Sequence, residues 1–125
     1  MLSASKLVGF VATSRPRESR QFYEETLGLS LLEDSPVALV FDAFGTVLRL
    51  QKVKSVSASA YTVLGWEVSS IEGVVQRLSD KGVSFERYDG MPQDELGIWT
   101  TPAGAKVAWF RDPDGNLLSL IQNAN

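Results

Sequence analysis

Two absences set the chemistry open to this chain. It contains no histidine and no cysteine, so the commonest general base, thiolate nucleophiles, disulfides and the nitrogen and sulfur donors preferred by zinc, iron and nickel are all missing. Only carboxylates, amides and carbonyls remain to hold a metal. Few side chains are left with usable chemistry. Glu67 can act as a general base where burial lifts its pKa, or it can pair with Arg49 or stand at a wet rim. Arg49 meets Glu67 or an anionic ligand group, or it reaches water at its strand end. Trp99, Trp109 and Phe10 can stack on a flat or apolar ligand, or they fill core. Ser119 has no base to activate it, so its expected role is to make room.

The overall balance narrows the partners. A net charge of −3 argues against nucleic acid, whose phosphates need a basic face, and suits a cationic or neutral small ligand. No apolar run approaches the roughly 18 residues of a membrane span. The start Met1-Leu2-Ser3-Ala4-Ser5-Lys6 lacks an apolar signal core, so a cytoplasmic location is expected. At 125 residues there is material for one compact domain or two interlocked half-domains.

The elements that must position these residues are organised around one stretch, Phe110 to Gln122. There a strand enters Asp112-Pro113-Asp114-Gly115 and a second strand leaves it, with an acceptor, a preset φ and a glycine in turn order. A weaker copy lies upstream, where Asp42, Gly45, Leu48 and Leu50 match Asp112, Gly115, Leu118 and Leu120, each 70 residues apart (112 − 42). Before each hairpin comes a strand and then a helix. Leu7 to Ser14 precedes a helix over Arg17 to Leu27 that Gly28 ends, and Tyr61 to Val68 precedes one that carries Ile71, Val74, Val75 and Leu78 at i, i+3, i+4, i+7. Ser69 with Glu72 reads as a capping box for the latter. Leu29 to Leu32 and Val37 to Asp42 supply strands to the first set; Ser84 to Tyr88 and Ile98 to Thr101 supply them to the second. Asp89 to Gly97 is a lid or an ordinary solvated connection. The order is β-α-β-β-β twice, joined by the small polar Lys54 to Ala60. The first strands align at 55 (Val8 with Val63) or at 56 (Gly9 with Gly65).

The motifs Phe22-Tyr23-x-x-x-Leu27-Gly28-Leu29, Leu64-Gly65-Trp66-Glu67-Val68-x-x-Ile71-Glu72 and Asp112-Pro113-Asp114-Gly115-Asn116-Leu117-Leu118 together resemble the vicinal oxygen chelate superfamily. That group includes glyoxalase I, bleomycin resistance proteins and extradiol dioxygenases. The resemblance runs from about Leu7 to Gln122. It implies an α+β fold of two tandem βαβββ modules (about 7–53 and 61–122, linker 54–60), with curved mixed sheets around a cavity, helices outside, and commonly a homodimer. Strand alternation then turns Leu48, Leu50, Leu118 and Leu120 to the helices. It turns Val8, Phe10, Ala12, Val47, Arg49, Gln51, Val63, Gly65, Glu67, Val107, Trp109, Arg111, Leu117, Ser119 and Ile121 to the cavity.

Enzymatic members of that superfamily hold a divalent metal with residues whose slots here fall at Val8, Val63, Ser119 and Arg49. A slip by one residue gives Gly9, Leu64, Leu118 and Leu50, which are no better. No metal and no cofactor is therefore expected. The first functional expectation is metal-independent binding of a small amphipathic or cationic molecule, with Phe10, Arg49, Gln51, Trp99, Val107, Trp109, Arg111 and Ser119 as the ligand-facing set. The alternatives are a lyase or isomerase with Glu67 as base or an atypical metal site, and a scaffold whose cavity is filled by side chains.

Overall fold

The computed structural model describes all 125 residues. The chain divides into two compact units, Met1–Ser57 and Ala58–Asn125. Each is built around a four-stranded mixed sheet. No helix is long and apolar enough to cross a membrane.

The first unit runs β1 (Val8–Thr13), α1 (Pro16–Gln21), β2 (Ser30–Asp34), β3 (Ala38–Ala43) and β4 (Thr46–Lys52). Its sheet order is β1-β4-β3-β2, parallel only between β1 and β4. Period-two alternation gives it a dry face with Val11, Thr13, Leu39, Phe41, Leu48 and Leu50 buried. Tyr23 covers that face, its ring 5.8 Å from that of Phe41. The helical pattern expected over Arg17 to Leu27 is not one α-helix. Pro16 fixes the first turn, and from Phe22–Thr26 the chain widens into a π-helical turn closed by the Leu27 N–H on the Phe22 carbonyl at 2.9 Å. A buried Thr13–Ser19 hydroxyl pair at 2.8 Å fastens α1 to the end of β1. Asp34 takes Lys52 at 2.7 Å and Arg20 at 3.0 Å.

The second unit runs β5 (Leu64–Glu67), α2 (Ile71–Asp80), β6 (Trp99–Thr100), β7 (Lys106–Arg111) and β8 (Leu117–Gln122), with sheet order β5-β8-β7-β6. Ile71, Val75 and Leu78 of α2 are buried, along with Ala108, Phe110, Leu118 and Leu120 of the sheet. The capping box does not form. Ser70 is the N-cap without a side-chain bond, the Ile71 N–H donates to Gln122 Oε1 at 2.8 Å, and the Glu72 carboxylate takes Lys106 at 2.6 Å instead. The segment Ser84 to Tyr88 is not a strand. It touches β7 through one bridge, Phe85 with Phe110, and through the Glu86 N–H on the Trp109 carbonyl.

The ladders resolve the repeat. Phe10 pairs with Arg49 and Gly65 with Ser119, so the first strands correspond at 55 (65 − 10) when the last correspond at 70 (119 − 49). Across the hairpins, Val40 faces Arg49 and Trp109 faces Ser119, a spacing of 69 (109 − 40). The uniform spacing of 70 read from the sequence thus holds for the outgoing strands only; the second turn carries one more residue. The first turn is tight, with Phe44 at φ 52 and Gly45 at φ 91. The second encloses the buried Asp112, whose Oδ1 accepts the N–H groups of Asp114 and Asn116 and whose Oδ2 accepts the Asn116 amide.

Candidate functional site

Opposed residues on neighbouring strands share a face, so the register alone assembles the site. In the second unit one row runs Gly65, Ser119, Trp109, and the next runs Glu67, Ile121, Val107, Trp99. Six sequence-predicted residues therefore meet on one face: Glu67, Trp99, Val107, Trp109, Arg111 and Ser119. The indoles of Trp99 and Trp109 are stacked at 6.3 Å and 25°, and Tyr88 meets Trp109 edge-on at 5.4 Å and 86°. All three are half-buried. Beside this wall the floor is low, because Gly65 has no side chain and Ser119 a short one. A Cβ on Gly65 would come within 3.0 Å of the Ser119 hydroxyl.

The charged residues of this face differ in their freedom. Glu67 is exposed and in no ion pair, so it lacks the burial that a base role needs. Arg111 is engaged on two of its three nitrogens. Its Nε donates to Glu86 at 2.9 Å, and Nη1 donates to the carbonyls of Ser59 at 2.9 Å and Gly115 at 2.7 Å. Burial raises the Tyr88 pKa above the usual phenol value, and Glu86 adds to the rise while Arg111 opposes it.

Tyr88 and the segment behind it were not legible as part of the site. The loop Asp89 to Gly97 carries a network of side-chain hydrogen bonds. Gln93 Oε1 accepts the Tyr88 N–H at 2.7 Å, and Nε2 donates to the carbonyls of Glu86 at 2.9 Å and Gly97 at 2.8 Å. Asp94 Oδ1 accepts the N–H groups of Leu96 and Ile98, both at 2.9 Å. Arg87 donates to the Asp94 carbonyl at 2.6 Å.

In the first unit, Phe10, Arg49 and Val40 form one row and Ala12, Gln51 and Ala38 the next. Phe10 is 62% exposed and Val8 39%. Arg49 is half-buried and in no ion pair, and Gln51 is exposed.

The metal chemistry of vicinal oxygen chelate enzymes does not fit these residues. The residue opposite Arg49 is Phe10 and the residue opposite Ser119 is Gly65, so each pair of facing slots offers at most one neutral hydroxyl, with a cation in the other. No group of three or more carboxylates converges elsewhere. A separate open groove of about 750 Å³ runs along α2, lined by Glu67, Ser69, Ser70, Gly73, Arg77 and Asp80 among others. It shares only Glu67 with the aromatic face.

The fold recurs widely. A solved structure of TnmS3, an antibiotic binding protein from Streptomyces sp. CB03234, is 24% identical, with 99% of each chain covered and a TM-score of 0.73. A lactoylglutathione lyase from Agrobacterium tumefaciens is 12% identical, with 96% of this chain and 94% of that one covered and a TM-score of 0.74. By sequence, the uncharacterized protein YraH of Bacillus subtilis (strain 168) is 30% identical, covering 85% of this chain and 88% of its own. The family model described as Glyoxalase/Bleomycin resistance protein/Dioxygenase superfamily matches residues 7–120, and with the paired βαβββ units this places the chain in that superfamily.

Proposed function

We propose that this protein binds a small amphipathic or cationic molecule, without a metal, on the open sheet face of its second unit. The flat part of the ligand lies over Gly65 and Ser119 against Trp109, and its cationic group is directed to Glu67. The observation that carries this reading is the stacked, half-buried Trp99–Trp109 pair beside a floor kept low by Gly65, with an unpaired carboxylate on the same face. Aromatic walls with one or two placed polar groups are the usual make-up of small-molecule sites. The antibiotic-binding description of a structurally similar protein supports the same direction. The alternative, a lyase or isomerase with Glu67 as base or with an atypical metal site, draws less support, because Glu67 is exposed and no three carboxylates converge. The exposed Phe10 and Val8 of the first unit support a homodimer, as the resemblance implies, and sedimentation measures it.

Isothermal titration with a planar aminoacridine cation, followed in parallel by tryptophan emission, tests the binding. Saturable binding with quenching is expected, weakened about tenfold in Trp109→Ala, a loss of about 1.4 kcal/mol. The reading is overturned if neither this probe nor a panel of aromatic amines binds, or if elemental analysis of protein purified without chelators finds a stoichiometric metal.

A further inference from the structure

We infer that Gln93 is the positioning residue of the aromatic wall: its side-chain amide ties Tyr88 and Glu86 to Gly97, and its backbone bridges Trp99, so that both outer rings are set against Trp109. The inference rests on the proposed binding face for its functional meaning, but its geometry stands independently.

The two outer rings of the wall are poorly anchored by secondary structure. β6 is two residues long. Tyr88 belongs to no strand, and the last backbone bond from its segment to the sheet is at Glu86. Between them lie ten residues that would need to close on themselves for the rings to converge. Gln93 closes them. Its Oε1 takes the N–H of Tyr88 itself, and its two amide hydrogens take the carbonyls of Glu86 and Gly97. Its backbone also bridges Trp99. One side chain thus links residues on both sides of the wall, with the donors and acceptor of the amide all used. Gly97, at φ 89, adopts a backbone conformation open to glycine, and a Cβ there would press on Phe85 at 3.3 Å. A side chain at position 97 would therefore disturb the turn that brings the Gly97 carbonyl to Gln93. A glutamate at 93 could still accept from Tyr88 but would face two carbonyl oxygens with no hydrogen to give.

The test compares wild type with Gln93→Ala, Gln93→Glu and Trp109→Phe. Two stacked indoles with an edge-on phenol give strong near-ultraviolet circular dichroism, which needs no ligand. Gln93→Ala and Gln93→Glu are expected to keep the far-ultraviolet spectrum and a cooperative melt while losing the aromatic bands that Trp109→Phe loses. Near-wild-type aromatic bands in either Gln93 variant would overturn the inference, and so would loss of the bands only together with the cooperative melt in both. Titration with the aminoacridine cation then separates this from the binding proposal. If the wild type binds, affinity should fall about tenfold in Gln93→Ala, the equivalent of one misplaced aromatic contact. If the wild type does not bind while the bands still respond, the positioning role stands and the binding reading falls.

Discussion

Phe44 sits at the tip of the first hairpin, fully exposed and at φ 52. A left-handed non-glycine residue carries a steric cost of about 1–2 kcal/mol, and the favoured pair for such a two-residue turn is Asn-Gly. Phe44→Asn should therefore stabilise the protein by about 1 kcal/mol, read as a higher denaturant midpoint at unchanged slope. Gly65 raises the converse question of space. Gly65→Ala puts a methyl group 3.0 Å from the Ser119 hydroxyl, which can rotate away, so the folding cost should stay within about 1 kcal/mol. Gly65→Val should in addition lift the floor beneath Trp109 and abolish aminoacridine binding in the titration. Asp112 was readable as a turn former from its neighbours alone, because an Asx turn is local chemistry. Arg111 was readable as a face residue but not as an occupied one, since Ser59 and Glu86 lie 52 and 25 residues away in sequence.

At the level of elements, partly exposed ion pairs tie helix to sheet in each unit. Lys106 beside Glu72 and Lys52 with Arg20 beside Asp34 hold both carboxyls below their usual range, the lysine hydrogen bond being the largest cause in each case. Groups with depressed folded pKa values contribute stability above their unfolded values, about 4, and lose it as pH falls through the folded ones. Melting temperature should therefore fall on acidification below about pH 4, less steeply in Lys106→Met and in high salt. Tyr88 acts in the opposite direction. Its raised pKa means that the unfolded chain ionises first, so stability is complete below about pH 10 and declines as pH rises through the folded value. Phenolate absorbance titration of wild type against Tyr88→Phe should show one late-ionising tyrosine missing from the variant. The helix α2 was legible because three of its four patterned positions are buried. The π-helical turn was not, since a single widened turn leaves the apolar stripe nearly unchanged.

The molecule as a whole was legible as a duplication because one strand-helix pair recurs at 55 residues and one hairpin at about 70, and faces follow from alternation once strands are placed. The wall was only half legible. Trp99 and Trp109 lie on strands and could be assigned, whereas Tyr88 and Gln93 lie on a loop whose path is set by side-chain hydrogen bonds without a periodic signature. The clamp of Arg111 on the carbonyl of Ser59, with the Ser59 hydroxyl accepting the Leu117 N–H at 3.1 Å, bears on the peptide that joins the two repeats. Its downstream end is stitched into the second hairpin, so it is not slack tether along its whole length. Limited trypsin digestion should nick first at the exposed Lys54, and aminopeptidase trimming of the carboxyl-side fragment should stall at Ser59, which the second hairpin holds.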